Sequence, residues 1–276
     1  MRKINLVQIA LIFVVLAITV RAENNLTNED NMKEFFDLQE LELSEIRAVN
    51  QNFKTFFRRN LSEVEAEDLF YDEDFSNGLS SKELKRLLKS YEWMLKQKNT
   101  LAWLIAITKV EGAPSPFTVV GFHPKFGYQS KSVECQKLIG KLTLKSHAKA
   151  QGLPQECFIR TESGPSSAFG YGQFVYKTWQ DLENRLKLKN FSRKTQAIGM
   201  LELGRQASRN GFIGLVMGNL KLSVLATTPW AGSSGSPLPG YKPDSFLKVV
   251  RKELKLLQDK KYFDFWYKEF TNESTR

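Results

Sequence analysis

Histidine and cysteine are scarce in this chain of 276 residues, which contains two of each. Zinc ribbons, finger arrays and iron–sulfur clusters need several closely spaced His or Cys ligands, so these classes of metal site are excluded. The sequence also lacks internal repeats and low-complexity tracts. Hydrophobic side chains make up 42% of the residues, which is enough to bury a core. The composition therefore predicts a folded protein without a metal site.

Acidic residues are outnumbered by basic ones, and the formal net charge is +10, which favours anionic partners. The imbalance is uneven: residues 23–98 hold 11 Lys and Arg against 17 Asp and Glu, whereas residues 99–276 hold 26 against 13. This asymmetry predicts two units, 23–98 and 99–276, with different surfaces. One hypothesis is that the acidic unit docks on the basic one. No basic-aromatic motif or recognition-helix pattern supports nucleic acid as the partner.

The first 22 residues have the pattern of a signal peptide. Arg2 and Lys3 form a basic start, an apolar run covers residues 9–20, and cleavage is expected after Ala22. The run is shorter than the roughly 20 residues that span a bilayer, although an uncleaved anchor is the alternative. We therefore expect a periplasmic or secreted protein.

The acidic unit 23–98 is predicted to be helical, because its apolar residues recur at spacings of three and four. A second amphipathic stretch contains Leu84, Leu87, Leu88, Tyr91 and Leu95. The acidic turn at 71–78 has some features of a calcium loop, but its glycine stands one place late, which favours a solvated loop.

The most informative short segment runs from Leu101 to Gly112. Residues 101–107 are apolar almost all round, as in a buried helix, and Gly112 is a natural helix-ending residue. Glu111 is spaced to lie on the same face as Leu104 and Ile107. A carboxyl held against apolar groups retains its proton, which suits a general acid. The alternative is an ordinary surface Glu beside Lys109.

A small-residue turn follows downstream at residues 166–174. Glycines there would let the backbone approach a ligand, and Gln173 offers both a donor and an acceptor to a sugar. The turn leads into a predicted helix with apolar positions at Phe174, Val175, Thr178, Trp179, Leu182 and Leu186. Ser192 is expected to cap the next helix, and a final helix is expected from Pro243.

The order of these pieces resembles the lysozyme-like superfamily, most closely the phage-lambda-type endolysins and their bacterial muramidase relatives. The resemblance covers residues 101–257. It is carried by Glu111-Gly112, His123-Pro124, the turn from Gly170 to Gln173 with Trp179, the run from Leu188 to Gln196, Trp230-Ala231 and Pro239-Gly240-Tyr241. The family has Asp where Ala197 stands here.

The resemblance implies a mainly α (α+β) fold. A lysozyme-like domain with a small β or irregular lobe would follow the helical N-terminal unit. It implies cleavage of peptidoglycan glycan strands between N-acetylmuramic acid and N-acetylglucosamine, without a metal or organic cofactor. Glu111 would be the catalytic residue. From their own positions in the sequence, Glu162, Tyr171, Gly172, Gln173 and Tyr241 are the candidate substrate-binding residues.

Two mechanisms remain open. A hydrolytic muramidase needs a second carboxylate, for which Glu134, Glu156 and Glu162 are the candidates. A lytic transglycosylase needs only one acid, and its reaction gives a product with a 1,6-anhydro end. This mechanism is favoured for Glu111. A third alternative is a catalytically silent module that binds wall glycan.

The remaining assignments concern side chains outside the expected chemistry. Cys135 and Cys157 are expected to form a disulfide, because the chain is predicted to be exported. Trp179 and Trp230 are expected in the core. His123 is interpreted as a structural hydrogen-bonding residue near a turn, and His147 is expected to be exposed.

Overall fold

A computed structural model describes residues 79–113, 115–118, 133–158, 160–161, 164–165, 167–231 and 243–275. All of these residues belong to one compact unit of the chain. The predicted signal peptide, residues 23–78 of the acidic unit, His123, Glu162 and Tyr241 lie outside the described residues. The predictions made for them stay predictions.

The fold is mainly helical. The helices are, in chain order, α1 Ser81–Met94, α2 Lys98–Val110, α3 Val133–Ile139, α4 Tyr176–Leu186, α5 Arg193–Ala207, α6 Arg209–Met217, α7 Leu220–Ser223, α8 Thr228–Ala231, α9 Pro243–Leu256 and α10 Lys260–Thr271. Short 3₁₀ turns cover Gln155–Cys157 and Val224–Thr227. In the described part of the chain no helix is long and apolar enough to cross a membrane.

The strands described are short. β1 Arg160–Thr161 pairs antiparallel with β2 Gly164–Pro165, with Arg160 opposite Pro165. Cys135 of α3 and Cys157 of the first 3₁₀ turn are joined by a disulfide, with their Cα atoms 5.4 Å apart. The disulfide therefore ties α3 to the segment that leads into this hairpin.

Helix α2 lies at the centre of the core. Every residue from Thr100 to Thr108 is buried, because apolar side chains occupy all faces of the helix. α9 packs along it, and the Trp103 ring meets Trp230 edge to face with the centroids 5.7 Å apart. The Trp103 indole nitrogen donates to the carbonyl oxygen of Ser223 at 3.1 Å, which satisfies its one polar atom.

The amphipathic stretch around Leu84 to Leu95 forms α1, as predicted. Ser80 and Glu83 close a capping box at its start, each side chain bonding the other residue's backbone N–H. Leu87, Tyr91 and Met94 are buried in the same hydrophobic cluster as α2. The part of residues 23–98 that the structure describes thus shares the core of the basic unit, while the boundary at 98 stays a prediction.

Tyr91 is joined to α5 by a buried carboxylate. Glu202 accepts hydrogen bonds from the Tyr91 hydroxyl, from Arg205 at 2.8 and 2.9 Å, and from Gln206 at 2.6 Å. Burial alone would raise the pKa of Glu202, but the hydrogen bonds and charge of Arg205 outweigh it and lower this pKa. Burial and the negative charge of Glu202 raise the pKa of Tyr91. The proton therefore stays on the tyrosine.

Two other glutamates have the same kind of environment. Glu253 of α9, which is 1% exposed, accepts from Lys109 of α2 and from the Tyr262 hydroxyl of α10, both at 2.6 Å. Glu269 of α10 also binds one tyrosine and one cation. We call Glu202, Glu253 and Glu269 the carboxylate anchors, because each holds a tyrosine hydroxyl and a basic side chain.

Removing the Glu202 anchor should destabilise the fold. Glu202→Ala leaves the Tyr91 hydroxyl and the Arg205 guanidinium without their acceptor in the core, so we expect a loss of about 3–5 kcal/mol. Asp181→Ala, at an exposed acid on α4, is the matched control and should change stability by less than about 0.5 kcal/mol. Urea unfolding measures both, and losses of equal size would contradict the assigned role.

Candidate active site

Glu111 occupies the C-cap position of α2. Gly112 follows with φ +62°, a conformation that glycine adopts without strain. The N–H of Gly112 bonds to the carbonyl oxygen of Lys109 at 3.2 Å, and the N–H of Ala113 to that of Thr108 at 2.8 Å. This pair of bonds is a Schellman motif, which ends the helix at the predicted place. The chain turns away immediately after the carboxyl-bearing residue.

Glu111 is half-buried, whereas Thr108, three residues earlier, is fully buried. The cation nearest in sequence, Lys109, lies 2.6 Å from the Glu253 anchor, and its ammonium also reaches the Tyr262 hydroxyl at 3.4 Å. No ion pair joins Lys109 to Glu111 in this part of the structure. The charge of Lys109 is therefore balanced within α9, on another side of the helix.

Residues 115–118 connect the end of α2 to the downstream turn. The carbonyl oxygen of Thr118 accepts from the N–H of Gly170 at 2.8 Å and from the Gln173 amide at 3.1 Å. The Gln196 amide donates to the carbonyl oxygen of Pro116 at 3.3 Å. The segment after Glu111 is thus hydrogen-bonded to the turn that carries the predicted sugar-binding residues.

The turn from Gly170 to Gln173 is closed by two hydrogen bonds between the backbones of Phe169 and Phe174, at 3.0 and 3.1 Å. Helix α4 begins at Tyr176, so Phe174 lies before the helix. Val175, which also precedes the helix, is 45% exposed. The predicted start of this helix was two residues too early. The backbone N–H and carbonyl oxygen of Phe174 are both bonded to Phe169, so they are not available for hydrogen bonds within a helix.

The glycines of this turn face protein atoms. A Cβ at Gly172 would lie 2.8 Å from Met200 and from Phe174, and one at Gly170 would lie 2.7 Å from Phe191. The carbonyl oxygen of Gly172 accepts from the Trp230 indole at 2.8 Å. Close packing against the core accounts for both glycines. Approach of the backbone to a ligand, and with it the substrate-binding role of Gly172, stays a prediction.

Gln173 is half-buried and has a positive φ of 44°, which is uncommon for a residue with a side chain. Its amide nitrogen donates to two carbonyl oxygens, Gly170 at 2.7 Å and Thr118 at 3.1 Å. Because both partners are acceptors, the NH₂ group faces them and Oε1 points the other way. Among the described residues, this oxygen has no hydrogen-bond donor. It can accept a hydrogen bond from a ligand.

Tyr171 is only 2% exposed, and its polar groups have protein partners. Its N–H donates to Gln196 Oε1 at 2.8 Å, and its hydroxyl donates to the Glu269 anchor, which also accepts from Arg193 at 2.6 Å. Burial, followed by the hydrogen bond to Glu269, raises the pKa of Tyr171. The hydroxyl thus fixes the turn to α10 and α5. Neither Glu269 nor Arg193 is part of a local sequence motif that would have predicted this contact.

The candidates for a second carboxylate that the structure describes are exposed. Glu134 lies in the first turn of α3, and Glu156 in the 3₁₀ turn beside the disulfide. Trp179 and Trp230 are buried, as predicted for core residues. Within the described residues, no group of three or more His, Cys, Asp or Glu is placed to hold a metal ion.

His147 is fully buried, so the prediction of an exposed histidine was wrong. Its Nε2 lies 2.8 Å from the carbonyl oxygen of Phe174, and its Nδ1 accepts from the N–H of Lys149 at 3.2 Å. A neutral ring with its proton on Nε2 satisfies both contacts. The rings of Phe169 and Phe191 lie edge-on against the imidazole, each with centroids 5.5 Å away. The residues that bury His147 are distant from it in sequence, so the local sequence pattern does not predict its burial.

No family model, curated protein or solved structure matches this chain.

His147 should make stability depend on pH. Burial lowers the pKa of His147 from 6.5 to about 4. The hydrogen bond to Phe174 has the opposite effect on this pKa, but it is the smaller of the two. Since folding favours the neutral ring, this contribution is complete above pH 6.5. It is lost as the pH falls from about 6.5 to about 4, to a total of about 3 kcal/mol.

His147→Gln keeps an amide donor for Phe174 but removes the titrating group. Its unfolding free energy should therefore fall less than that of the wild type between pH 7 and pH 4. Urea titrations across this range measure the slopes, and identical slopes for wild type and His147→Gln would exclude the mechanism.

Proposed function

We propose that this chain is an exported peptidoglycan lytic transglycosylase with a lysozyme-like catalytic domain, in which Glu111 is the acid and base. The substrate is the glycosidic bond between N-acetylmuramic acid and N-acetylglucosamine. The products carry 1,6-anhydro ends. Gln173 contributes a hydrogen-bond acceptor to the glycan.

One arrangement carries the proposal. Glu111 ends a helix that is buried on all sides, and the segment that follows it is hydrogen-bonded to the turn bearing Gln173. A half-buried carboxyl and an outward amide oxygen are therefore held by one network of backbone bonds. A carboxyl can donate a proton to a leaving oxygen, and an amide oxygen can accept hydrogen bonds from sugar hydroxyl or N-acetyl N–H groups.

The order of the sequence motifs supports the same assignment. The Glu-Gly helix end, the Gly-rich turn with Gln, the helix carrying Trp179 and the Ser192-capped helix follow one another as in lambda-type endolysins. Ser192 caps α5 by accepting from the N–H of Thr195 at 3.3 Å. The mainly helical fold is compatible with a lysozyme-like domain.

The proposed reaction needs no water. Protonated Glu111 donates its proton to the bridging oxygen as that oxygen leaves C1 of the muramic acid. The resulting carboxylate then removes the proton from the C6 hydroxyl of the same sugar, and the C6 oxygen bonds to C1. The proton returns to Glu111, and one glycosidic bond has been exchanged for an internal one.

The pairing of the three carboxylate anchors favours a single-acid mechanism. The three carboxylate anchors are each bound to a cation and a tyrosine hydroxyl, so none of them is available as a base or nucleophile. The described candidates for a second carboxylate, Glu134 and Glu156, are exposed, and both are more than 20 residues away from α2 in sequence. Hydrolysis with Glu162 as the second carboxylate is the competing mechanism.

Glu111→Gln should abolish cleavage. We expect release of soluble muropeptides from isolated sacculi to fall at least about 100-fold, because the amide cannot donate the required proton. Sedimentation with sacculi should be retained. Asp181→Asn is the matched control at an exposed acid. Equal release by Glu111→Gln and wild type would remove the enzyme hypothesis.

Product masses separate the two mechanisms. Anhydro ends are lighter than reducing ends by one water, which mass spectrometry of the wild-type digest detects. Glu162→Gln should keep activity if Glu111 acts alone. Reducing ends together with an inactive Glu162→Gln variant would establish a hydrolase.

A further inference from the structure

We propose that the outer faces of α9 and α10 form a surface that binds an anionic phospholipid bilayer peripherally. This inference is independent of the chemistry assigned to Glu111. It rests on exposed cations that form no ion pair with a described residue and on exposed apolar side chains that share helical faces with them.

Four basic side chains form a line on α9. Lys248, Arg251, Lys252 and Lys255 stand at positions i, i+3, i+4 and i+7, which share one face of a helix, and all four are exposed. The opposite face carries Phe246, Leu247 and Val250, which are buried. We call the four cations the basic stripe.

The basic stripe has no acidic partner. None of its members makes an ion pair with any described residue. Of the two acids on α9, Glu253 faces the core and binds Lys109, and Asp244 makes no ion pair with Lys248. Like charges three and four residues apart destabilise a helix. The stripe therefore opposes the stability of its own helix, and an external anionic surface would relieve the repulsion.

α10 carries three further exposed cations. It begins with Lys260 and Lys261, both exposed, where the positive end of the helix dipole disfavours cations. Lys268 is also exposed. None of these three lysines forms an ion pair with a described residue. Seven cations on the two helices thus make no ion pair with the residues that the structure describes.

Apolar side chains stand among these cations. Phe265 is 58% exposed and lies four residues after Lys261 and three before Lys268, on the same helical face. Leu256 is 39% exposed and lies four residues after Lys252 of the basic stripe. An aromatic ring flanked by lysines is suited to the boundary between lipid headgroups and acyl chains.

The combination selects a bilayer over a soluble polyanion. A wall polymer or a nucleic acid would neutralise the lysines but would leave Phe265 and Leu256 in water. An anionic bilayer provides phosphate for the cations and an apolar layer for the ring and the leucine. The occupant that satisfies both sets of side chains is therefore a phospholipid surface with net negative charge.

Vesicle sedimentation tests the proposal on the purified mature protein. The vesicles contain either phosphatidylcholine alone or phosphatidylcholine with about 30% phosphatidylglycerol. We expect binding to the anionic vesicles only, weakened by added salt because surface charges are screened. Failure of the wild type to bind the anionic vesicles at low salt overturns the proposal.

Two variants separate charge from apolar contact. In the first, all four residues of the basic stripe are replaced by Gln, which should weaken binding at least about tenfold. In the second, Phe265→Ser should weaken binding about threefold or more at every salt concentration, because the loss of apolar contact is not screened. Thermal unfolding verifies that both variants are folded.

The matched control removes the same charge elsewhere. It replaces four exposed lysines that make no ion pair with described residues: Lys141, Lys145, Lys177 and Lys189. Binding within about twofold of the wild type is expected. An equal loss in this control would assign binding to net charge alone and overturn the proposal. Unchanged binding by Phe265→Ser, with tight binding of soluble polyglutamate, would identify a polyanion as the occupant instead.

The catalytic assay distinguishes this proposal from the preceding one. The basic stripe variant should keep the wild-type rate on soluble glycan fragments, where no bilayer is present. Vesicle binding by Glu111→Gln should equal that of the wild type. The vesicle assay therefore tests the membrane-binding proposal, and the glycan assay tests the catalytic proposal, each independently of the other.

Discussion

A carboxylate that is buried or partly buried in a protein needs a partner, and this constraint organises the described fold. Glu202 joins α1 to α5, Glu253 joins α2 to α9 and α10, and Glu269 joins the turn around Tyr171 to α10 and α5. In each case one tyrosine hydroxyl and one cation satisfy the acid. Burial raises the pKa of Tyr91, Tyr171 and Tyr262, so the hydroxyls remain donors to the ionised acids. Breaking one such contact leaves a charge without its partner, which costs more than the loss of a surface ion pair.

The surroundings of Glu111 depend on two of these anchors. The Glu253 anchor binds Lys109 and keeps its charge on the α9 side of the helix. The Glu269 anchor holds Tyr171, and therefore the turn whose backbone contacts Thr118 and carries Gln173. Neither anchor is assigned a direct chemical role. The amide of Gln173 itself is oriented by the carbonyl oxygens of Gly170 and Thr118, which belong to this turn and to the segment after α2.

The parts of the fold that local chemistry controls were predictable. Gly112 ends α2, Ser192 caps α5 and Pro243 begins α9, since each position depends on residues within one helical turn. The anchors were not, because their partners lie 98, 111 and 144 residues apart. The predicted exposure of His147 was wrong for the same reason. Exposed lysines surround it in sequence, while the aromatic rings that bury it come from 22 and 44 residues further on.

The same pairing explains the charge of the surface. Residues 79–276 contain 32 Lys and Arg but 15 Asp and Glu, and two of the anchors, Glu202 and Glu253, place acids of this small set in the interior. On α9 the separation is complete from Lys248 onwards: Glu253 faces the core, and the four cations of the basic stripe face outwards. A helix selected for solubility alone would carry acids among those cations, because alternating charges stabilise an exposed face. Their absence, together with an exposed phenylalanine on the next helix, is what an interaction with an anionic, partly apolar surface requires.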